Sequence, residues 1–504
     1  MNQDNGGVIG KINTPTTTVA SGVWSIQDQF EAQSSSIWPL AFPQTTFPNS
    51  CRFNKADTDY LSKTFSGDSN RRTFTYSCWV KKCTTSSGGA LFGVTGSGGG
   101  YIWFLLSGTV LYLQNNPSST VEFQTTQKTR DLSAFMHILL AIDTTQSTST
   151  DRVKLYINGE QVTSFSTSTY PSLNQDLQLV TGTNPIKIGE YGGEKLDAYL
   201  SEVIWVDGQQ LTPTSFGATN PVTNIWEPIA YTGTYGTNGF KLNFSDSSNL
   251  GDDTSGNGND FTVNNLTSVD QSTDTPSNNF ATLNALNNTT DGNPAVYSEG
   301  NLKFACAGDA SGKRYGGTGT IGVSKGKWYW EVKAGDTDGG GALSIGITHD
   351  MGLLSRSSPY YVGGDGASFG YHGADGNIYH DNSSSSYGNT YTTNDIIGVA
   401  LDVDNSKLYF SKNGVFQNSG DPTSGSTGTG AYSIDSLSGT VDGVYVAAVS
   451  DINSTPNVVG EMNFGSPPYS ISSGNADANG HGNFEYAVPS GYFALCTKNL
   501  SEFG

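Results

Sequence analysis

Asp151-Arg152-Val153-Lys154-Leu155-Tyr156-Ile157-Asn158-Gly159-Glu160-Gln161-Val162 is the stretch from which the fold can be read. An extended run from Val153 to Ile157 meets Asn158-Gly159 and continues into a second extended run. The tight turn whose twist matches its flanking strands needs a positive φ at both central residues, so Asn-Gly between such runs signals a hairpin. The arrangement returns at Asp404-Asn405-Ser406-Lys407-Leu408-Tyr409-Phe410-Ser411-Lys412-Asn413-Gly414. In both, an acidic turn leads to Lys-Leu-Tyr and then Asn-Gly. Two domains of one general architecture account for the echo.

Strand patterns continue outward from these hairpins. Phe74, Tyr76, Cys78 and Val80 alternate with Thr75, Ser77 and Trp79. Trp328, Trp330 and Val332 alternate with Tyr329 and Glu331, and Val399, Leu401 and Val403 with Gly398, Ala400 and Asp402. Ile138–Asp143, Leu200–Val206, Ser344–Thr348 and Val444–Val449 read as further strands. Period-two alternation on this scale argues for half-buried strands of two-sheet sandwiches. The 63 glycines and the abundant Ser, Thr, Asn and Asp between the runs are turn chemistry. The expected fold is all-β: two antiparallel β-sandwiches with an extended N-terminal arm. The 504 residues divide into an arm over 1–47, a first sandwich over 48–228, a connector over 229–293, and a second sandwich with a C-terminal extension over 294–504.

Composition excludes some functions. The formal charge is -20, with 25 Lys and Arg and no basic run, so nucleic-acid binding has no electrostatic footprint. The longest apolar run, Ala134 to Ile142, is far shorter than the roughly 20 residues of a membrane-spanning helix, so no membrane insertion is expected. Cys51, Cys78, Cys83, Cys306 and Cys496 are odd in number and irregular in spacing, which argues against a disulfide framework or a zinc site and for folding in a reducing cytoplasm. Residues 1–11 lack the basic and apolar regions of a signal peptide.

Five separated motifs resemble the SPRY (B30.2) domain in that family's order: Gly326-Lys327-Trp328-Tyr329-Trp330-Glu331-Val332, Ser344-Ile345-Gly346-Ile347-Thr348, Ile397-Gly398-Val399-Ala400-Leu401-Asp402, Leu408-Tyr409-Phe410-Ser411-Lys412-Asn413-Gly414 and Gly460-Glu461-Met462-Asn463-Phe464-Gly465. The region 50–215 is similar to laminin-G-like, concanavalin A-like jelly rolls through Tyr76-Ser77-Cys78-Trp79-Val80 and Leu155-Tyr156-Ile157-Asn158-Gly159, and the two resemblances imply two concanavalin A-like antiparallel β-sandwiches (jelly rolls). Gly22-Val23-Trp24-Ser25-Ile26-Gln27-Asp28-Gln29 and Trp38-Pro39 resemble a segment found in bacteriophage tail fibres and other virion proteins. Together these resemblances imply a non-enzymatic virion appendage, made in the host cytoplasm and released on lysis. Its arm would dock through Val23, Trp24, Ile26, Phe30 and Trp38 on other virion proteins. Its sandwiches, presented as a homo-oligomer such as a trimer, would bind a host-surface glycan or protein. A polysaccharide-degrading virion enzyme and a purely architectural head or tail decoration are the alternatives.

No residue set carries catalysis. Retaining glycosidases need two carboxylates about 5 Å apart, and Glu190, Glu194, Asp197 and Glu202 lack the strand spacing that would place such a pair. Ligand contacts are expected from loop aromatics: Tyr101 and Trp103 after a glycine run, and Tyr360, Tyr361, Tyr387 and Tyr391 in Gly/Ser-rich loops. His372 and His380 flank Asp375-Gly376 as near-mirror Tyr-His pairs, which favours cross-strand stacking over metal binding. His137, beside an apolar strand, reads as a packed side chain. No cofactor is expected, although Asp252, Asp253, Asn257 and Asp260, with Asn259, could chelate Ca²⁺. The same cluster is ordinary turn material.

Overall fold

Both Asn-Gly hairpins form in the computed structural model. Val153–Ile157 pairs with Glu160–Gln161 across Asn158 (φ 49°) and Gly159 (φ 83°), and Lys407–Lys412 pairs with Val415–Phe416 across Asn413 (φ 49°) and Gly414 (φ 80°). The echo extends to the neighbouring strand. The Asn158 side-chain oxygen accepts from the His137 amide at 2.8 Å, and that of Asn413 accepts from the Ile396 amide at 2.8 Å. Each turn thus anchors its hairpin to the strand beside it. The structure describes residues 27, 47–86, 88–96, 99–116, 121–179, 184–221, 223–288, 295–306, 315–335, 343–352, 361–452 and 458–504. The arm residues Val23, Trp24, Ile26, Phe30 and Trp38, and Tyr360, lie outside them.

In the first sandwich, one sheet runs Glu160–Gln161, Val153–Ile157, Met136–Asp143, Thr73–Lys82, Ala198–Asp207, Ser50–Phe53, Gln271–Ser272, with Phe240–Leu242 also pairing to Ala198–Asp207. The other runs Phe165–Thr169, Val121–Thr125, Val110–Asn116, Tyr101–Ser107, Gly88–Thr95, Ile186–Ile188, Tyr60–Lys63, Thr262–Asn264. The alternation in Thr73–Lys82 works as read: Phe74, Tyr76, Cys78 and Val80 enter the core between the sheets, and Trp79 on the opposite face stacks on His137 at 5.0 Å. His137 is fully buried 2.8 Å from Ser77 Oγ, and burial depresses its pKa to about 3.

The stretch read as a connector needs correction. Phe240, Leu242, Phe244, Leu250, Phe261 and Leu266 belong to the first core, and three short strands from this stretch extend both sheets. Phe240 stacks on Trp205, which itself stacks on Phe74 at 4.5 Å. The polar composition concealed this because only three-residue runs turn inward. The Asp/Asn loop within it is a turn. Asp253 accepts from the Lys241, Ser255 and Asn259 amides at 2.8–2.9 Å, and Asp260 accepts from the Asp253 amide at 3.0 Å. The Asn257 and Asn259 side chains each donate to the Gly239 carbonyl at 2.9 Å. Asp253 and Asp260 carboxylate oxygens thus already serve backbone N–H groups, and no cluster of three or more potential metal-binding His, Cys, Asp or Glu forms among the described residues. Residues 217–228 form a separate small hairpin, Gly217–Thr219 against Trp226–Pro228, with Phe216 stacked on Tyr231.

The second sandwich has one sheet ordered Val296–Ser298, Lys303–Cys306, Val458–Asn463, Lys327–Ala334, Ile396–Asp402, Lys407–Lys412, Val415–Phe416. The facing sheet runs Gly316–Val323, Tyr445–Asp451, Leu343–Thr348, Ser368–His372, Asn377–His380, Ser383–Ser386. Trp328, Trp330, Val332, Ile345, Ile347, Val399, Leu401 and Phe410 fill the core between them. On the outer side of the larger sheet, Tyr329, Ala400 and Tyr409 are covered by Phe484, Tyr492 and Ala494 of the C-terminal extension.

The sandwiches meet across a buried polar junction. Arg52, with no exposed surface, donates to the Val269 carbonyl at 2.9 Å and lies 3.7 Å from both Asp270 and Glu299. Lys81 pairs with Asp274 at 2.7 Å, Tyr199 donates to the Gly300 carbonyl at 2.9 Å, and Asn301 donates to the Cys83 carbonyl at 2.9 Å. Asp59 sits nearby with one carboxylate oxygen on the Asn54 amide (2.8 Å) and the other unpartnered. Burial, reinforced by Asp270, Asp57 and Glu299, raises its pKa to about 7. Between pH 4 and 7 the folded protein therefore holds a proton that the unfolded chain has released, so this group's contribution to stability falls as pH rises through that window. Asp59→Asn should flatten that slope and raise unfolding free energy at pH 8 by about 2 kcal/mol, read from urea unfolding at pH 4, 6 and 8.

Candidate functional site

The outer face of the first sandwich's second sheet carries aromatic rings where a solvated face ordinarily carries polar side chains. Along Tyr101–Ser107, Ile102, Phe104 and Leu106 point into the core, which leaves Tyr101 and Trp103 on the opposite face. They were expected on a loop, and the structure places them on a strand. Trp103 stands opposite Gln114 and Tyr101 opposite Asn116, with Tyr112 on the same face. The hairpin Glu190–Tyr191/Glu194–Lys195 folds over this face, so that Tyr191 meets Trp103 edge-on at 5.9 Å and Tyr101 at 6.5 Å. Tyr101 and Trp103 are themselves 4.9 Å apart. Farther across, Lys187 lies over the Tyr60 ring at 4.6 Å and pairs with Glu190 at 2.6 Å.

Gly93 makes this closure feasible. A Cβ at that position would overlap the Tyr191 ring. Gly93→Ala should lift Tyr191 off the sheet and cost about 1–3 kcal/mol of stability, seen as a lowered melting temperature with altered tyrosine-to-tryptophan energy transfer.

The tyrosines are held by neighbours. Tyr101 donates to Gln114 Oε1 at 2.9 Å, Tyr112 donates to Glu122 at 2.7 Å, and the Tyr191 hydroxyl is 2.9 Å from Thr95 Oγ1. Burial, and for Tyr112 also the Glu122 carboxylate, pushes the Tyr112 and Tyr191 phenols above their ordinary pKa. They remain neutral donors. Trp103 Nε1–H is buried without an acceptor among the described residues. The face offers flat rings and side-chain amides, which suits recognition.

The other expected contacts lie elsewhere. Tyr387 and Tyr391 are core residues: the Phe410 amide donates to the Tyr387 oxygen, and the Tyr391 hydroxyl lies 2.7 Å from the Leu343 and Tyr371 carbonyls. Tyr361 is buried under a strap in which Val362 and Gly363 bond to Ser344, Ser450 and Ser368, with its hydroxyl on Asn382. Their Gly/Ser-rich surroundings suggested exposure, whereas the small side chains permit close coverage of the sheet. The His pairs stack: His372 on Tyr379 at 3.9 Å and His380 on Phe369 at 4.2 Å. Glu190 and Glu202 pair with Lys187 and Lys241, and burial raises the Asp197 pKa to about 6. Tyr191 and Tyr112 went unread as site residues, although Gly189-Glu190-Tyr191-Gly192-Gly193 places a lone ring between glycines.

Comparison with known proteins assigns both sandwiches. Residues 327–432 match the SPRY domain model, and 55–215 match the concanavalin A-like lectin/glucanases superfamily. The second sandwich is a SPRY domain. The first is a laminin-G-like, concanavalin A-like domain. The Ran-binding proteins 9/10 homolog of Drosophila melanogaster is 36% identical over 93 residues, 18% of this chain and 9% of that protein. The ATP-dependent RNA helicase DDX1 of Xenopus laevis is 32% identical over 125 residues (24% and 15%), and Ran-binding protein 9 of Xenopus tropicalis is 33% identical over 124 (23% and 22%). The chain thus spans less than a quarter of the length of these relatives. The SPRY domain of human HERC1 aligns over 36% of this chain and 96% of its own, with 15% identity and a TM-score of 0.27.

These relatives correct the functional expectation. They are eukaryotic proteins, named for Ran binding or RNA unwinding, and they overturn the bacteriophage-fibre reading together with its virion location. The short arm motif that suggested it is too small a signal to outweigh matches over 90 residues or more. SPRY and laminin-G-like domains are typically non-catalytic binding domains.

Proposed function

We propose that this chain is a non-catalytic protein-interaction scaffold in which the laminin-G-like domain contacts a protein partner through its aromatic face and the SPRY domain is clamped to it by the Arg52 junction. The observation that carries the reading is the ring cluster of Tyr101, Trp103 and Tyr191 on an outer sheet face. Aromatic side chains are enriched where one protein anchors another, because they bury large area at little entropic cost. Similarity to Ran-binding proteins supports a protein partner over a host glycan or virion component.

The test is affinity selection with the full chain, followed by calorimetric titration of each captured protein on wild type and on the Tyr101→Ser/Trp103→Ser double variant. Affinity should fall at least tenfold in the variant, about 1.4 kcal/mol or more. Equal affinities, or release of reducing ends from a polysaccharide by the wild type, would reject the reading.

A further inference from the structure

The large hydrophobic side chains exposed among the described residues are Leu173, Ile225, Leu286, Val296, Met351, Val415 and Val441. Four of the seven, Leu286, Val296, Met351 and Val441, sit on segments that hydrogen bonds knit together at one corner of the SPRY domain. The Asn287 side chain donates to the Met351 carbonyl and, at 2.7 Å, to Thr318 Oγ1. The Asn288 side chain donates to the Ala295 carbonyl, beside Val296, at 2.7 Å. The Met351 amide donates to Asp442 at 2.7 Å, and the Val441 amide to His349 Nδ1 at 3.1 Å. Scattered exposed apolar residues are ordinary, but a gathered set rimmed by polar groups marks a contact surface.

Asp435 and Asp442 lie at the surface of these segments, and 284–288, 295–298, 349–352 and 434–443 contain no Lys or Arg. His349 is 3% exposed, its Nδ1 accepts from the Val441 amide, and its Nε2 lies 3.5 Å from an Asp435 oxygen. The histidine thus ties the Val441 turn to the base of the patch. Loops fixed in this way give up little conformational freedom on binding.

We infer that this corner is a second docking surface, which takes a protein segment with an apolar anchor flanked by Lys or Arg. Leu286, Met351 and Val441 supply the apolar floor, and the aspartates, on a chain of net charge -20, select the flanking cations. The surface lies on a different domain from the aromatic face, so the two stand or fall separately.

A yeast-displayed library of random 12-residue segments, selected against the full chain, tests it. Enriched segments should place Leu, Phe or Met beside Lys or Arg. They should bind at least tenfold more weakly to the Leu286→Ser/Met351→Ser/Val441→Ser triple variant, and weaken at 0.5 M salt. Binding should survive in the Tyr101→Ser/Trp103→Ser variant. The three replaced side chains are 42–65% exposed, so the triple variant should melt within a few degrees of wild type. The inference fails if no segment is enriched, if enriched segments lack the pattern, or if they bind both proteins equally. It fails too if sedimentation shows the patch buried in a dimer that the triple variant abolishes.

Discussion

Arg52→Ala should lower the unfolding free energy by about 3–5 kcal/mol, because it leaves the buried Asp270 and the partly buried Glu299 around an empty place and strips a donor from the Val269 carbonyl. Breaking one side of a buried ion cluster costs more than the cluster contributes, since the remaining charges have lost their water as well as their partner. The loss should appear in a particular way. Arg52 belongs to the first sandwich, Glu299 enters the second, and Pro467 of the C-terminal extension lies within 3.5 Å of the same guanidinium. Urea unfolding of the wild type should therefore be one transition, and that of the variant two. Arg52→Lys should restore little, because a single ammonium cannot reach three directions from one stem. A single unshifted transition in the alanine variant would show that the junction does not couple the domains.

Glu331→Ala should cost about 3–5 kcal/mol by leaving buried N–H groups without acceptors. The side chain is fully buried on the covered face of the SPRY domain's larger sheet. Its carboxylate accepts from the Glu485 and Tyr486 amides at 2.9 and 2.8 Å, from the Asn463 side chain at 3.2 Å and from the Tyr329 hydroxyl at 3.1 Å. The two amides belong to the C-terminal extension, so the defect should be local. Hydrogen exchange of Glu485 and Tyr486 should accelerate far more than that of the Ile396–Asp402 strand, and proteases should cut within 466–504 first. Glu331→Gln keeps one oxygen for the amides and should lose about 1–2 kcal/mol. If the glutamine variant is as damaged as the alanine variant, charge rather than acceptor geometry holds the extension.

Much of this architecture is legible residue by residue. Asn158-Gly159 and Asn413-Gly414 specify their turns through a local steric rule, and both adopt the required positive φ. The alternation of Phe74, Tyr76, Cys78 and Val80 against Trp79 assigns faces correctly because a strand's side chains have period two whatever surrounds them. The five ordered motifs around Trp328 to Gly465 identified the SPRY domain, and the family model matches over 327–432. The attribution to a virion particle failed where a brief tail-fibre-like segment was asked to carry function for the whole chain.

The candidate site was legible only in part. Tyr101 and Trp103 were singled out for their glycine neighbours, yet what sets them on the outer face is that Ile102 and Phe104 claim the core. Tyr387 and Tyr391 had the same kind of setting and became core.

Sequence alone determined that the chain is all-β, that it holds two sandwiches of related build, and which hairpins they contain. Those features rest on turn sterics and strand periodicity, which act over a few residues. Only the tertiary structure decided which outer faces are covered: Tyr329 and Glu331 by the C-terminal extension, Arg52 and Tyr199 by the second sandwich, and Tyr101 and Trp103, among the described residues, by the Tyr191 hairpin. Alternation assigns a side chain to one of two faces. Whether that face meets water is set by chain segments roughly ninety or more residues away, and no local pattern encodes their arrival.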